Sequence, residues 1–146
     1  MIIHASCVSH AGAALLLLGP PGAGKSLRAL RLIEAGWSLV ADDQVLLTAE
    51  AEALHAAPPA ALAGMLEIRG LGLFRDIPHA PARLALAARL MPNPPRLPEP
   101  SRWSALSLSI PEFPLEAAQP AAPAICAWAL RAALGELSQS SGAFAP

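Results

Sequence analysis

The sequence predicts an α/β fold, and three adjoining segments carry that prediction. The aliphatic run 13–18, AALLLL, has the length of a strand buried on both faces. Residues 19–26 are rich in glycine and proline and form a turn, and 25–35 is dominated by strong helix formers with Leu27, Leu30 and Ile33 or Glu34 at helical spacing. Gly36 stands where a left-handed C-terminal cap ends such a helix.

The other elements follow in chain order. Residues 1–8 carry β-branched Ile2, Ile3 and Val8, and read as a strand beside 13–18. Trp37-Ser38-Leu39-Val40 is a short apolar strand closing on Ala41-Asp42-Asp43, and 44–48 has the β-branched content of the next strand, so a carboxylate pair sits at a strand end. The alanine-rich stretch 50–63 contains Pro58 and Pro59 and reads as a short connection. Residues 66–74 alternate apolar and charged side chains and include Gly70 and Gly72, which suits a strand or loop presenting Glu67 and Arg69 on one side. Eleven prolines between Pro78 and Pro123 break the pattern and leave 82–90 as a helix and 106–110 as an alternating strand. A helix over 124–137 closes a single domain of residues 1–137, and 138–146 is expected to be a flexible tail.

Composition narrows the function. A chain of 146 residues fits one domain, and 54% hydrophobic with 14% charged residues means either tight packing or surface that meets a partner chain, of which an oligomer is the favoured reading. A net charge of -1 with few aromatic residues supplies neither a basic stripe nor a stacking platform, which argues against nucleic acid. The run 13–18 is too short to span a bilayer and 121–134 is interrupted by Pro123 and Arg131, so no membrane segment is expected. Cys7 and Cys126 lack C-x-x-C spacing and are expected reduced and buried, as in a cytoplasm. His4, His10, His55 and His79 lack metal-ligand spacing, which excludes a zinc site.

The chemistry begins at Gly19, Pro20, Pro21, Gly22, Ala23, Gly24, Lys25 and Ser26, which match G-x-x-x-x-G-K-[ST] at every fixed position. Lys25 is the only lysine in a chain with nine arginines, a flexible point charge kept where β/γ-phosphates must be reached. The glycines turn backbone N–H groups toward phosphate, the following helix adds its partial positive charge, and the Ser26 hydroxyl suits Mg²⁺. Asp42 and Asp43 stand where such proteins place a carboxylate near the metal, so that one can orient metal or water while the other accepts a proton. An Asx turn or helix cap is the plainer reading of that pair. Glu67 and Arg69 either face the phosphates or form a solvated charge pair.

In this order His4, the loop 19–26, Leu39-Val40-Ala41-Asp42-Asp43 and Leu66-Glu67-Ile68-Arg69-Gly70-Leu71-Gly72 resemble the catalytic domain of bacterial HPr kinase/phosphorylase, over about residues 1–76. The resemblance implies a P-loop nucleotide-binding fold related to phosphoenolpyruvate carboxykinase, a mixed sheet with flanking helices, in a short form without the N-terminal domain. It implies an ATP- and Mg²⁺-dependent kinase that phosphorylates a serine of an HPr-like phosphocarrier and reverses the step by phosphorolysis, working in the cytoplasm as a homo-oligomer, a hexamer in the family. It implies that Lys25 and the loop hold phosphates, that Ser26 and Glu67 bind Mg²⁺, that Asp42, with Asp43 next, is the base, and that His4 is the active-site histidine. Arg96 is the expected counterpart of a late catalytic arginine. Leu27 replaces a usual polar residue, and the proline-rich stretch after Asp76 departs from the pattern. Two rival readings accompany this one, a nucleotide-binding regulatory module and a small-molecule P-loop kinase.

Overall fold

The computed structural model describes residues 1–116 and 118–146. Its strands are β1 (Ile2–His4), β2 (Ser6–His10), β3 (Ala13–Leu18), β4 (Ser38–Ala41), β5 (Gln44–Glu50), β6 (Ala53–Ala57), β7 (Leu66–Ile68), β8 (Gly72–Phe74), β9 (Ala82–Met91), β10 (Ser101–Ala105) and β11 (Leu108–Glu116). Its α-helices are α1 (Lys25–Glu34) and α2 (Ala122–Ala133), with a single 3₁₀ turn at Ala60–Leu62. The main sheet runs β1-β5-β6-β9-β3-β2-β4, with the β10–β11 hairpin joined to β9, and β7–β8 forms a separate hairpin. This is the mixed α/β architecture expected.

At the centre, β3, β9 and β11 run parallel, while β2 pairs antiparallel with β3 and β4 antiparallel with β2. Every residue of β3 is buried. Its alternate side chains feed two cores: Leu15 and Leu17 join the core that receives α1 and α2, while Ala14, Leu16 and Leu18 face Val40, Val45 and Leu47 on the other side. A strand with apolar packing on both faces has no polar alternation, which is why the run 13–18 is continuous.

The segment 82–90, expected as a helix, is strand β9. Its residues ARLALAARLM favour helix by propensity, but pairing with β3 and β11 satisfies both edges and overrides that preference. A bulge hides its period. Ala14 faces Leu84 while Leu15 faces Leu86, so Ala85 is the extra residue, and Leu84 and Leu86 enter opposite cores.

Other expectations also shift. Residues 1–8 form two strands broken at Ala5, and 50–63, expected as a plain connection, contains β6 in a hairpin with β5. Of the strand expected at 106–110, residues 108–110 open β11, while Leu106 and Ser107 form the turn that joins it to β10. Leu106 and Ser107 have φ of 51° and 63°, and Ala51 and Glu52 of the β5–β6 turn have 49° and 62°. These left-handed two-residue turns contain no glycine, so the usual hairpin signal was missing. The helix expected at 124–137 spans Ala122–Ala133, with a proline in its first turn. The tail, expected to be flexible, returns to the core: Ala143 is buried and the Phe144 ring lies 6.0 Å from that of Phe113.

The helix after the glycine loop forms as expected. Gly36, at φ 102°, ends it in a left-handed cap in which the Gly36 N–H donates to the Ile33 carbonyl and the Trp37 N–H to the Leu32 carbonyl, both at 3.0 Å. Trp37 and Leu32 are both buried in the same core, which fixes the exit of the helix and the start of β4.

Candidate functional site

The loop joining β3 to α1 folds tightly, with the Ala23 N–H donating to the Pro20 carbonyl at 3.1 Å. Gly22 and Gly24 take φ of 84° and 89°, values that side-chain-bearing residues rarely adopt. No side chain caps the start of α1. Its first-turn N–H groups therefore keep their bonding capacity for an anion, reinforced by the helix dipole. Lys25 bends back over the loop and donates to the Gly19 carbonyl at 2.8 Å and the Pro20 carbonyl at 3.3 Å.

A cleft of about 610 Å³ opens beside this loop, and His4, Lys25, Ser26, Asp43, Glu67 and Arg69 all line it. The sequence spread these residues over several elements; the fold brings them together. β1 delivers His4, the β4–β5 turn delivers Asp43, β7, running beside α1, delivers Glu67, and the turn from β7 to β8 delivers Arg69.

The two adjacent aspartates part company in the structure. Asp42 is 4% exposed and its carboxylate accepts from Ser6 Oγ at 2.6 Å, from Ser26 Oγ at 2.8 and 3.0 Å, and from the Glu67 N–H at 3.3 Å. These bonds occupy both oxygens and tie β2, α1 and β7 to the end of β4. Asp43 is exposed on the cleft wall at φ 66°, within a tight turn in which the Gln44 N–H donates to the Asp42 carbonyl at 2.8 Å. Aspartate tolerates that left-handed conformation better than most side chains. The turn sends one carboxylate inward and the next outward. The expectation that Asp42 is the base meets this geometry: its lone pairs are engaged, whereas those of Asp43 are open to the cleft.

Arg96 is not brought to the site. It is exposed in the connection between β9 and β10 and lines neither this cleft nor the hollow on the other flank of the loop. Arg28, which the sequence reading passed over, does line the cleft, and its Nε is buried without a hydrogen-bond partner among the described residues. Desolvation, aided by the nearby Arg31 charge, pulls its guanidinium below the ordinary arginine value. The signal was present in the sequence, because Arg28 lies one helical turn beyond Lys25 and so on the same face.

No group of three or more His, Cys, Asp or Glu among the described residues is arranged to hold a metal alone. Mg²⁺ in phosphoryl-transfer sites needs no such cage, since substrate phosphates and water supply most of its oxygen ligands. The Ser26 hydroxyl and the nearby carboxylates are hard oxygen donors of the kind it takes, and they fit that role. No helix among the described residues is long and apolar enough to cross a membrane.

Fold and cleft together define the class: a P-loop α/β domain with its phosphate loop between a central strand and a helix. Residues 1–79 match the model of the HPr Serine kinase C-terminal domain. The chain belongs to that family. It is 42% identical over 76 residues to the HPr kinase/phosphorylase of Clostridium acetobutylicum, covering 52% of this chain and 25% of that protein. It is 43% identical over 73 residues to that of Listeria monocytogenes, covering 49% and 23%. It thus spans about a quarter of the length of these curated relatives. The fold matches the structure of the Hpr(Ser) kinase/phosphatase from Coxiella burnetii with a TM-score of 0.76 at 24% identity, over 90% of this chain and 94% of that one. That likeness reaches well past residue 79, so the proline-rich half keeps the shared fold where its sequence has diverged.

Proposed function

We propose that this chain transfers the terminal phosphoryl group of ATP to a serine hydroxyl of an HPr-like phosphocarrier protein of the phosphotransferase system. The observation that carries the reading is the bond from Ser26 Oγ to Asp42, at the edge of a cleft that also presents Lys25, Asp43 and Glu67. The names of the relatives supply the carrier.

In this reading the loop N–H groups from Gly22 to Ser26 hold the phosphate chain. Lys25, already folded over the loop, exchanges its carbonyl partners for β- and γ-phosphate oxygens. Asp42 fixes the Ser26 hydroxyl, and Ser26 and Glu67 are the residues that hold Mg²⁺. The ion supplies positive charge against the charge spread over the transferring group. Asp43 takes the proton of the incoming serine hydroxyl as that oxygen bonds to the γ-phosphorus, the bond to the bridging oxygen breaks, and ADP departs. In phosphorolysis an oxygen of inorganic phosphate bonds to the phosphorus of the phosphoserine, the bond to the serine oxygen breaks, pyrophosphate departs, and the same aspartate, protonated, returns the proton to the serine oxygen. His4, which lines the cleft, orients the incoming hydroxyl or phosphate in this reading.

A homo-oligomer is part of the proposal, hexameric by family resemblance, supported by Leu71 at 70% and Trp128 at 64% exposure. So is a cytoplasmic setting, supported by two buried free thiols. A nucleotide-binding regulatory module is the second reading, and the position of Arg96 outside the cleft favours it. Incubation with γ-labelled ATP, Mg²⁺ and an HPr-like protein separates the two. Serine labelling that disappears in Lys25→Ala and Asp43→Asn supports the kinase; ATP and carrier binding without labelling supports the module.

A further inference from the structure

Arg28 lines the cleft beside Lys25 and Ser26, on the same helix. We propose that Arg28 is a catalytic residue whose guanidinium donates hydrogen bonds to the oxygens of the phosphoryl group during transfer, supplying the cation that Arg96, outside the cleft, does not. The proposal rests on the reading of the cleft as a phosphoryl-transfer site.

Position comes first. The Arg28 N–H donates to the Gly24 carbonyl at 3.0 Å, which places Arg28 at the close of the first turn of α1. Side chains on a helix lean toward its N-terminus, so this one leans over the turn that begins with Lys25 and Ser26. It lines the flank of the loop that also presents Asp43 and Glu67, and not the opposite flank. Arg28 therefore stands where the phosphoryl bond is exchanged, on a helix that holds a side chain more rigidly than a loop does.

Surroundings then separate Arg28 from the other cations of the cleft. Lys25 donates to the Gly19 and Pro20 carbonyls, and Arg69 is exposed in the turn from β7 to β8. Arg28 is half-buried, enters no ion pair among the described residues, and has a buried Nε without a partner among them. A desolvated donor without an acceptor costs the free protein, and negative charge arising in front of it recovers that cost. Such a donor is already oriented and stripped of water before the reaction begins, which is what stabilises a transition state.

The chemistry asks for this group. As the serine oxygen bonds to the γ-phosphorus and the bond to the bridging oxygen breaks, Asp43 takes the proton and negative charge spreads over the three equatorial oxygens. A planar fork of N–H donors meets two of those oxygens at once, which a lysine ammonium does not. Arg28 exchanges no proton in the step.

Serine labelling of an HPr-like protein by γ-labelled ATP, beside calorimetric titration of ATP and ADP, tests this in the wild type, Arg28→Met and Arg28→Ala. Arg28→Met should lower kcat by about 10³-fold or more, the usual worth of such an arginine. It should weaken ATP by about tenfold, the scale of a lost hydrogen bond to a charged group, and leave the affinity for ADP, which lacks the terminal phosphate, unchanged. Added guanidinium should return part of the lost turnover to Arg28→Ala, which a packing role would not give. Full turnover in Arg28→Met overturns the proposal, as does an equal loss of affinity for ATP and ADP, which assigns Arg28 to the inner phosphates. A wild type that binds ATP and labels no serine overturns the phosphoryl-transfer reading and the proposal with it, a failure seen before any variant is made.

Discussion

Ser26 Oγ donates to the Asp42 carboxylate at 2.8 Å although the two residues lie 16 positions apart. This contact joins the start of α1 to the end of β4 and leaves the two neighbouring acids in different surroundings. With Asp42 saturated by Ser6, Ser26 and the Glu67 N–H, Asp43 is the carboxylate with a free face.

Asp43→Asn should therefore lower kcat by about 10²–10⁴-fold, the usual worth of a positioned base, with nucleotide affinity and melting temperature retained. Asp42→Asn should instead lower stability, because an amide cannot serve all three donors. Labelling kinetics beside thermal melts distinguish the two patterns, and the reverse assignment of the base stands if Asp43→Asn keeps full turnover.

Arg28 presents a buried Nε with no partner among the described residues, a cost that an anion bound in the proposed phosphate site would relieve. Replacing it with Met should leave the melting temperature equal or higher and weaken tripolyphosphate binding by about tenfold. A lower melting temperature with unchanged binding assigns Arg28 to packing alone.

Arg96 is exposed and stands outside the cleft. Arg96→Ala should leave kcat/KM for serine labelling unchanged and move stability by no more than about 0.5 kcal/mol. A large loss of turnover would show that the connection between β9 and β10 swings toward the substrate.

Leu86 is fully buried on the central strand β9, in the core shared with α1 and α2. Leu86→Ala should cost about 2–5 kcal/mol in urea unfolding, while Leu71→Ala, at a site 70% exposed, should cost under about 0.5 kcal/mol.

Burial pushes the Cys126 thiol from its ordinary 9.0 up to about 12, and Cys7 higher still. In the unfolded chain both ionise near their ordinary value. Their contribution to stability is thus fully present below about pH 9 and is lost as pH rises toward the folded values. Urea midpoints should fall from about pH 8 to about pH 10, and Cys7→Ala with Cys126→Ala should flatten that slope; a slope unchanged by the double substitution would assign the effect to other groups.

The sequence was most legible where structure is set locally. The run 13–18, the glycine loop and the Gly36 cap each encode their backbone through burial on both faces or through positive φ. The least legible element was β9, whose alanines and leucines favour helix and whose bulge at Ala85 breaks the two-residue period. The turns at Ala51-Glu52 and Leu106-Ser107 adopt glycine-like angles with ordinary residues, so two hairpins lacked their usual marker.

By itself, the sequence determined the phosphate loop, the helix it feeds and the signature 66–72, because a turn, a cap and a spacing are properties of adjacent residues. Only the tertiary structure decided which aspartate faces the cleft, that Arg28 enters it and Arg96 does not, and that a helix-favouring segment becomes the central strand. Those outcomes depend on the partners each side chain meets across the sheet, and such contacts between distant segments exist only once the chain has closed around its core.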